Sequence, residues 1–196
     1  NMLSSTTSRQ TLVQNVTDTA VSLGLDGINV DFEQLSSDCG PHYVEFLREL
    51  SIQCRNKGLV LSVDNYVPFN FNDYYRLDIQ GQVADYVIIM GYDEHWHGSK
   101  DPGSVASIGY VSDGLDRTLQ EVPANKVVNA LPLYTILWKT EGTDVTDEYI
   151  TMRNEADFMS RAGVTAEWDE ETCQNYAEWT SGNATYQIWL EDAESI

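Results

Sequence analysis

Four short apolar segments, each separated from the next by a helical one, constrain the fold of this chain most strongly. The apolar segments are residues 25–33, 59–66, 83–93 and 127–134, and the helical segments are residues 9–23, 41–57, 73–82 and 113–121. The third and fourth apolar segments are almost uninterrupted, which is typical of strands buried on both faces of a parallel sheet. Strands that alternate with helices in this way predict a parallel α/β architecture.

The chain changes character after about residue 135. From there to about residue 190 it is polar, acidic and aromatic. We expect a helix over residues 147–162, followed by two or three short antiparallel strands. Together they would form a small α+β insertion after the fourth strand.

The first apolar segment also carries charged groups at alternating positions. Residues 26–33 read Asp-Gly-Ile-Asn-Val-Asp-Phe-Glu. Successive side chains of a strand point to opposite faces, so Asn29, Asp31 and Glu33 share one face and the apolar residues between them share the other. Two neighbouring carboxylates repel each other when both are ionised, so one of them tends to hold a proton. The pair favours general acid catalysis, and a structural hydrogen-bond network is the alternative interpretation.

The acidic composition narrows the classes of partner. The chain of 196 residues has 31 acidic and 11 basic residues and a net charge of −20. This argues against nucleic acid and against anionic membrane surfaces, because both require Lys and Arg. No apolar run approaches the roughly 18 residues of a membrane span. A neutral substrate such as a sugar remains open, and the alternative explanation of the acidity is solubility.

The cysteines and histidines predict neither a metal nor a cofactor. Cys39, Cys54 and Cys173 are widely spaced and odd in number, so one disulfide is open but nothing in the sequence selects its pair. His95 and His97 have the spacing of a metal pair without an evident third ligand, so we interpret them as loop surface.

Three of the four strands end in residues suited to a sugar site. The first ends in Asp31 and Glu33, and the third continues into Met-Gly-Tyr-Asp-Glu-His at residues 90–95. The fourth ends in Leu-Pro-Leu-Tyr at residues 131–134, with Trp138 shortly after. In a (β/α)₈ barrel the active site lies at the carboxyl ends of the strands. Aromatic faces can stack there on pyranose rings while carboxylates transfer protons.

These motifs resemble the family 18 glycoside hydrolases, the chitinase-like family. Residues 26–33 resemble its Asp-x-x-Asp-x-Asp-x-Glu signature, residues 90–93 its Met-x-Tyr-Asp motif, and residues 131–134 its barrel strand seven. The resemblance extends in order and spacing over roughly residues 9–138. Asn at position 29 and the Tyr-Asp-Glu-His run resemble one branch, the bacterial enzymes that cut spore-cortex peptidoglycan.

The resemblance implies a partial (β/α)₈ TIM barrel with a small α+β insertion. The four strands would be numbers four to seven. Residues 1–138 would be the later half of a catalytic barrel, and residues 139–196 the insertion that leads back toward it. Because a complete barrel takes about 250 residues, we expect this chain to be part of a longer protein. The open sheet edges of such a part predict self-association.

The resemblance also implies an activity. It is the substrate-assisted, retaining cleavage of β-1,4 N-acetylglucosamine linkages in peptidoglycan or chitin-like polymers. The expected partner is a carbohydrate polymer, and the expected location is secreted or in a bacterial cell envelope. The alternative is a non-catalytic chitinase-like protein that only binds carbohydrate. The presence of Glu33 favours the enzyme, although this part of the protein alone could be inactive.

The implied roles can be assigned residue by residue. Glu33 would be the general acid and then the base, Asp31 would orient the acetamido group, and Tyr92 would donate to its oxygen. Asp26 and Asn29 would support Asp31, with one carboxylate of the family pattern lost at position 29. The predicted substrate-binding residues are Asp93, Tyr134, Met90 and, as a weaker candidate, Trp138. Core packing is the alternative for Tyr92, Tyr134 and Trp138.

Overall fold

The computed structural model describes residues 2–196, which form two compact units. The first unit contains the described residues up to Met90 together with Gly114–Asn129, and the second contains Gly91–Asp113 and Ala130–Ile196. These units do not coincide with the predicted division between residues 138 and 139, which stays a prediction. Within residues 2–196 no helix is long and apolar enough to cross a membrane.

The first unit is built on a four-stranded sheet with helices between its strands. The strands lie in the order β1-β2-β3-β4, and β2 pairs in parallel with both β1 and β3. The strands are β1 (Gly27–Val30), β2 (Val60–Tyr66), β3 (Tyr86–Met90) and β4 (Val127–Ala130). The helices are α1 (Thr6–Ser22), α2 (Gly40–Lys57), α3 (Leu77–Val83) and α4 (Ile108–Leu119), of which α4 belongs to this unit only from Gly114 onward. The predicted alternation of strands and helices is therefore confirmed.

Local sequence signals explain where these helices begin and end. The Ser5 hydroxyl accepts a hydrogen bond from the backbone N–H of Ser8 at 3.3 Å and caps α1. Helix α2 has a proline in its first turn and ends at Gly58, whose φ of 69° lies in the left-handed region. The predicted helix at 73–82 is instead a 3₁₀ helix, Asn70–Tyr75, followed by α3. Arg76 separates the two because its φ is 58°.

The apolar face of the first strand packs under α2. The ring of Phe32 lies 5.4 Å from the ring of Phe46, nearly parallel to it, and Leu47 and Leu50 of the same helix are buried. Burial of these side chains is the main stabilising contribution of this layer. With Phe32 held under the helix, Asp31 and Glu33 are directed to the opposite face.

The exposure of β3 corrects one expectation. Val87 and Ile89 are buried, but Tyr86 is exposed and Ile88 only partly buried. Within residues 2–196, the prediction that β3 is buried on both faces is therefore wrong. Its exposed face is the one that continues from the polar residues of β1 and β2, since Tyr86 pairs in register with Ser62.

The second unit is a five-stranded antiparallel sheet with one helix, α5 (Met152–Ala162). The strands lie in the order β6-β5-β9-β8-β7. They are β5 (Tyr134–Glu141), β6 (Asp144–Thr151), β7 (Glu167–Asp169), β8 (Gln174–Ser181) and β9 (Ala184–Leu190). The two or three antiparallel strands predicted after the helix are therefore confirmed as β7, β8 and β9, whereas β5 and β6, which precede the helix, were not predicted.

Two predicted boundaries, one on either side of β5, are also wrong. The helix expected over 147–162 begins only at Met152, because the preceding residues, rich in β-branched side chains, pair with β5. The strand expected over 127–134 ends at Ala130. Pro132 has no N–H to donate to a ladder, and the next strand starts at Tyr134.

Two tight hairpins set the register of this sheet. Glu141 pairs with Asp144, and Ser181 pairs with Ala184, so each connection has two residues. Each begins with a glycine, Gly142 at φ 64° and Gly182 at φ 63°, where a side chain would be strained. A glycine followed by one polar residue between two alternating segments is the sequence signal of such turns.

Candidate active site

The polar side chains of β1 and β2 form a ladder on the exposed face of the first sheet. Asn29 pairs in register with Ser62, so the residues that follow at every second position on each strand lie side by side. We call this group the polar ladder; it consists of Asn29, Asp31, Glu33, Ser62, Asp64 and Tyr66.

Hydrogen bonds connect the two sides of the polar ladder. Asn29 Nδ2 donates to Ser62 Oγ at 2.9 Å and to Asp64 Oδ1 at 2.8 Å. The Tyr66 hydroxyl donates to Glu33 Oε2 at 2.7 Å. A hydrogen bond to a carboxylate is shorter and stronger than one between neutral groups, so Tyr66 fixes one oxygen of Glu33.

The surroundings of Asp31 in the ladder raise its pKa. Burial raises the pKa of Asp31 above its ordinary value, and the nearby charges of Glu33 and Asp64 raise it further. A hydrogen bond between the Asp31 and Glu33 carboxyl groups acts in the same direction. Asp31 therefore keeps a proton to higher pH than an isolated aspartate does, which is the behaviour expected of a carboxyl group beside a second carboxylate. Burial, followed by the hydrogen bond to Glu33, likewise raises the pKa of Tyr66.

The backbone around Glu33 departs from regular strand geometry. Strand β1 ends at Val30, so Asp31 and Glu33 follow the strand rather than lying within it. Gln34, the next residue, has a φ of 54°, in the left-handed region that a non-glycine residue adopts only at a cost of about 1–2 kcal/mol. This turn takes the chain away from the sheet immediately after Glu33.

The other supporting residue lies at the opposite end of β1. Asp26 precedes Gly27, the first residue of the strand, and its backbone carbonyl accepts a hydrogen bond from the N–H of Val60 at 2.9 Å. Packing against β2 requires a glycine at position 27, because a Cβ there would meet the Val60 carbonyl oxygen at 2.5 Å. The support of Asp31 by Asp26 stays a prediction.

Three ladder residues were not among the predicted site residues. Ser62, Asp64 and Tyr66 occupy every second position along β2, as Asn29, Asp31 and Glu33 do near β1, although the residue between Asp64 and Tyr66 is the buried Asn65 and not an apolar one. This two-residue spacing could have identified the three residues from the sequence. What it could not supply was the register, which places Asp64 and Tyr66 beside the carboxylates of the first strand.

The second unit holds a group of tyrosines around Asp93. The Tyr134 hydroxyl donates to Asp93 Oδ1 at 2.5 Å, and the rings of Tyr92 and Tyr134 meet edge to face at 6.4 Å. Burial raises the pKa of Tyr134, and the hydrogen bond to Asp93 and its charge raise it further. Asp93 has a φ of 58°, so a backbone in the left-handed region aims its carboxylate. The structure thus brings three predicted site residues of this unit together.

The two remaining predicted substrate-binding residues are buried. Met90 is the last residue of β3. Trp138 is 0% exposed; its Nε1 donates to the Gly103 carbonyl at 2.8 Å, and it packs in a core cluster with Val105 and Ile136. An indole with no exposed face cannot stack on a sugar, so we do not carry Trp138 into the proposed site.

The histidine loop serves structural contacts. His95 Nδ1 lies 2.9 Å from the Ser104 carbonyl oxygen, and His97 hydrogen-bonds to Asp147. Within residues 2–196 no three His, Cys, Asp or Glu side chains are arranged to hold a metal ion.

Comparison with known proteins identifies the family of this chain. The model of the family described as glycosyl hydrolases family 18 matches residues 1–196. The chain belongs to this family. Its neighbours among solved structures are family members, and their likeness shows an α/β, TIM-barrel-like fold, although residues 2–196 do not include a closed barrel.

Individual relatives are similar over the whole chain. YdhD of Bacillus subtilis is 28% identical over 206 residues, covering 100% of this chain and 48% of YdhD. The cortical fragment-lytic enzyme of the same organism is 26% identical over 100% of this chain and 47% of its own length. A chitinase from Chromobacterium violaceum, known from a crystal structure, has 28% sequence identity to this chain and superposes with a TM-score of 0.86. The match covers 97% of this chain and 61% of the chitinase chain. This chain therefore spans about half the length of the curated relatives.

Proposed function

We propose that the protein is a retaining glycosidase that cleaves β-1,4 N-acetylglucosamine linkages in peptidoglycan or chitin-like polymers. The observation that carries the proposal is the Asp31–Glu33 pair, in which the pKa of Asp31 is raised beside the Glu33 carboxylate and Glu33 is held by Tyr66. Similarity to a cortical fragment-lytic enzyme and to a chitinase supports the substrate class and does not separate the two polymers.

The chemistry follows from the family resemblance and the ladder. The substrate's acetamido oxygen attacks the anomeric carbon, and the glycosidic C–O bond breaks as Glu33 donates its proton to the leaving oxygen. Asp31 orients the acetamido group and stabilises the positive charge that develops on it. Glu33 then removes a proton from water, which opens the cyclic intermediate and restores the acid. Tyr92 belongs to the second unit, and its donation to the acetamido oxygen is proposed from the resemblance alone.

The finer architecture is also part of this proposal. We assign β1 to β4 as strands four to seven of a (β/α)₈ barrel, and the antiparallel unit as the insertion after strand seven. The order β1-β2-β3-β4, with parallel pairing of β2 to both β1 and β3, supports this assignment. A glycan substrate in a bacterial wall would place the enzyme outside the cytoplasm, secreted or in the cell envelope.

Product analysis tests the activity. The full-length native protein is incubated with chitin oligomers and with purified peptidoglycan, and the products are identified by mass spectrometry. The comparison is a Glu33→Gln variant, with Glu45→Gln as a matched control. Glu45 is a half-exposed carboxylate on α2 that pairs with Arg48 on the surface. Cleavage by the wild type and the control, but not by Glu33→Gln, is expected, and the product masses identify the bond.

The alternative outcome separates enzyme from binding protein. If neither polymer is cleaved and both the wild type and Glu33→Gln bind the oligomers, the enzyme proposal is overturned. A non-catalytic carbohydrate-binding protein would then be the function.

A further inference from the structure

An exposed aromatic surface extends the tyrosine group of the second unit. Tyr149 lies on β6 and is 49% exposed. Its ring meets that of Tyr134 edge to face at 5.2 Å, and it stacks on the imidazole of His97 at 5.3 Å with an angle of 30° between the planes. We call Tyr149 and His97 the aromatic shelf. Its edge-to-face contact makes it continuous with Tyr134, which itself binds Asp93.

The carboxylate of Asp147 holds the aromatic shelf in position. Asp147, two residues before Tyr149, has a side chain only 7% exposed. One of its oxygens accepts a hydrogen bond from His97 Nδ1, and the other accepts from the backbone N–H of Gly98 at 3.1 Å. Both oxygens of this carboxylate therefore attach the histidine loop to β6. His97 is oriented by the same contact, so it supports one face of the exposed tyrosine ring.

The exposure of the shelf is not explained by packing. Trp138, on the neighbouring strand of the same sheet, is fully buried, which is the expected fate of a large aromatic residue in a core. Tyr149 instead keeps about half its surface open although two rings fix its position. An aromatic ring that two neighbours hold in position and that stays about half exposed is suited to stacking on a neutral ring. Net charge of −20 disfavours an anionic ligand there.

We propose that Tyr149 and His97 form a separate sugar-binding subsite that stacks on a pyranose ring of the glycan chain, beyond the residue held at Asp93 and Tyr134. This inference rests on the proposed function. It assigns the shelf a role in selecting long glycans over short ones, because a ring at this subsite has to be covalently continuous with the sugar at Asp93.

Binding of chitin oligomers of different length tests the subsite. The Glu33→Gln background in the full-length protein separates binding from cleavage, and affinities are measured by calorimetry for the disaccharide and the hexasaccharide. Replacing Tyr149 with Leu keeps apolar volume but removes the aromatic face. We expect Tyr149→Leu to weaken hexasaccharide binding about fivefold to tenfold and to change disaccharide binding less than about twofold.

Matched variants separate the shelf from general damage. Tyr149→Phe keeps the ring and is expected to bind the hexasaccharide like the parent. Trp168→Ala removes another exposed aromatic residue of the same unit, 38% exposed on β7, and is expected to change neither affinity. His97→Ala, which removes the support of the ring, is expected to give a smaller loss than Tyr149→Leu and only for the hexasaccharide.

Two results would overturn the inference. One is an unchanged hexasaccharide affinity in a folded Tyr149→Leu protein, and the other is an equal loss for both oligomers. A protein that cleaves no polymer but loses only hexasaccharide affinity in Tyr149→Leu would retain the shelf and overturn the glycosidase proposal. Cleavage that requires Glu33, together with unchanged affinities in Tyr149→Leu, would support the glycosidase proposal and overturn the subsite.

Discussion

The polar ladder of the first unit and the tyrosine group of the second are assembled in different ways. The ladder takes its members from every second position along two adjacent parallel strands, so strand geometry alone decides which side chains share a face. The tyrosine group joins residues distant in the chain, such as Tyr134 and Asp93, which are 41 positions apart. Strand periodicity can predict the first kind of site, whereas the second depends on how loops and strands pack.

The two regions also differ in how far their carboxyl groups are exposed to solvent. Asp31 and Glu33 are exposed on the ladder, where solvent and substrate can reach them. In the second unit Glu155 is 4% and Glu191 is 2% exposed. Burial raises the pKa of Glu155 to about 7 and that of Glu191 to about 8, partly opposed by hydrogen bonds from Glu191's backbone and the Gln174 side chain respectively. Perturbed carboxyls therefore occur both where chemistry is expected and where it is not.

The largest expected effect separates chemistry from positioning within the ladder. Glu33→Gln should lower kcat by about 10²–10⁴-fold, because it removes the general acid. Tyr66→Phe keeps the acid and loses one hydrogen bond to it, so kcat should fall only about 10-fold with little change in KM. Steady-state kinetics on a chitin oligomer would measure both. Equal losses in the two variants would contradict the separate roles.

A second prediction concerns the core of the antiparallel unit. Trp138→Ala should lower the free energy of unfolding by about 3–5 kcal/mol, because it leaves a large cavity beside Val105 and Ile136. Denaturant unfolding followed by circular dichroism measures the change. Trp138→Phe should cost less, since it keeps most of the buried ring and loses the hydrogen bond to Gly103. A folded, fully stable Trp138→Ala protein with weakened sugar binding would instead favour the substrate-binding role predicted from sequence.

The buried carboxyls predict a pH dependence of stability. In the unfolded chain both groups have their ordinary pKa of 4.5, and in the folded protein burial raises the pKa of Glu155 to about 7 and that of Glu191 to about 8. Between these limits the folded state binds more protons, so the free energy of unfolding should fall as the pH rises from about 4.5 to about 8 and level off above it. We expect a loss of several kcal/mol, at about 1.4 kcal/mol for each pKa unit, measured by denaturant unfolding at pH 5 and pH 8.

Replacing Glu191 with glutamine tests which group makes the free energy of unfolding depend on pH. Glu191→Gln keeps the side-chain shape without a titrating group, so its stability should change less between the two pH values. Glu167→Gln alters an exposed carboxylate on β7 and should retain the wild-type slope. A slope unchanged by Glu191→Gln would show that other groups cause it.

The smallest expected effect tests how the ladder tolerates another carboxylate. In Asn29→Asp the amide donor to Ser62 and Asp64 is lost, and a second negative charge stands beside Asp64. We expect the free energy of unfolding to fall by about 1 kcal/mol at neutral pH and by less at pH 4, where carboxyls take up protons. Thermal unfolding at both pH values measures this. Equal stability of the two proteins at neutral pH would show that the donor role of Asn29 is unimportant.

Much of the first unit could be predicted from sequence because its signals are local. The alternation in residues 26–33 predicted which side chains share a face, and Phe32 packs under α2 while Glu33 stands on the open face. The proline and glycine at the two ends of residues 41–57 predicted α2 nearly to the residue. Two-residue spacing and helix caps depend only on neighbouring backbone geometry, so no tertiary information is needed to interpret them.

The sequence by itself determined the strand–helix alternation, the family motifs and the face on which Asp31 and Glu33 stand. Only the tertiary structure decided that Tyr66 reaches Glu33, that Trp138 is buried, and that Tyr149 stays half exposed on a support made by Asp147 and His97. The physical reason is that periodicity specifies the direction of a side chain within its own element. Register and packing between elements are set by the summed burial and hydrogen bonding of residues far apart in the chain, and these specify what the side chain meets.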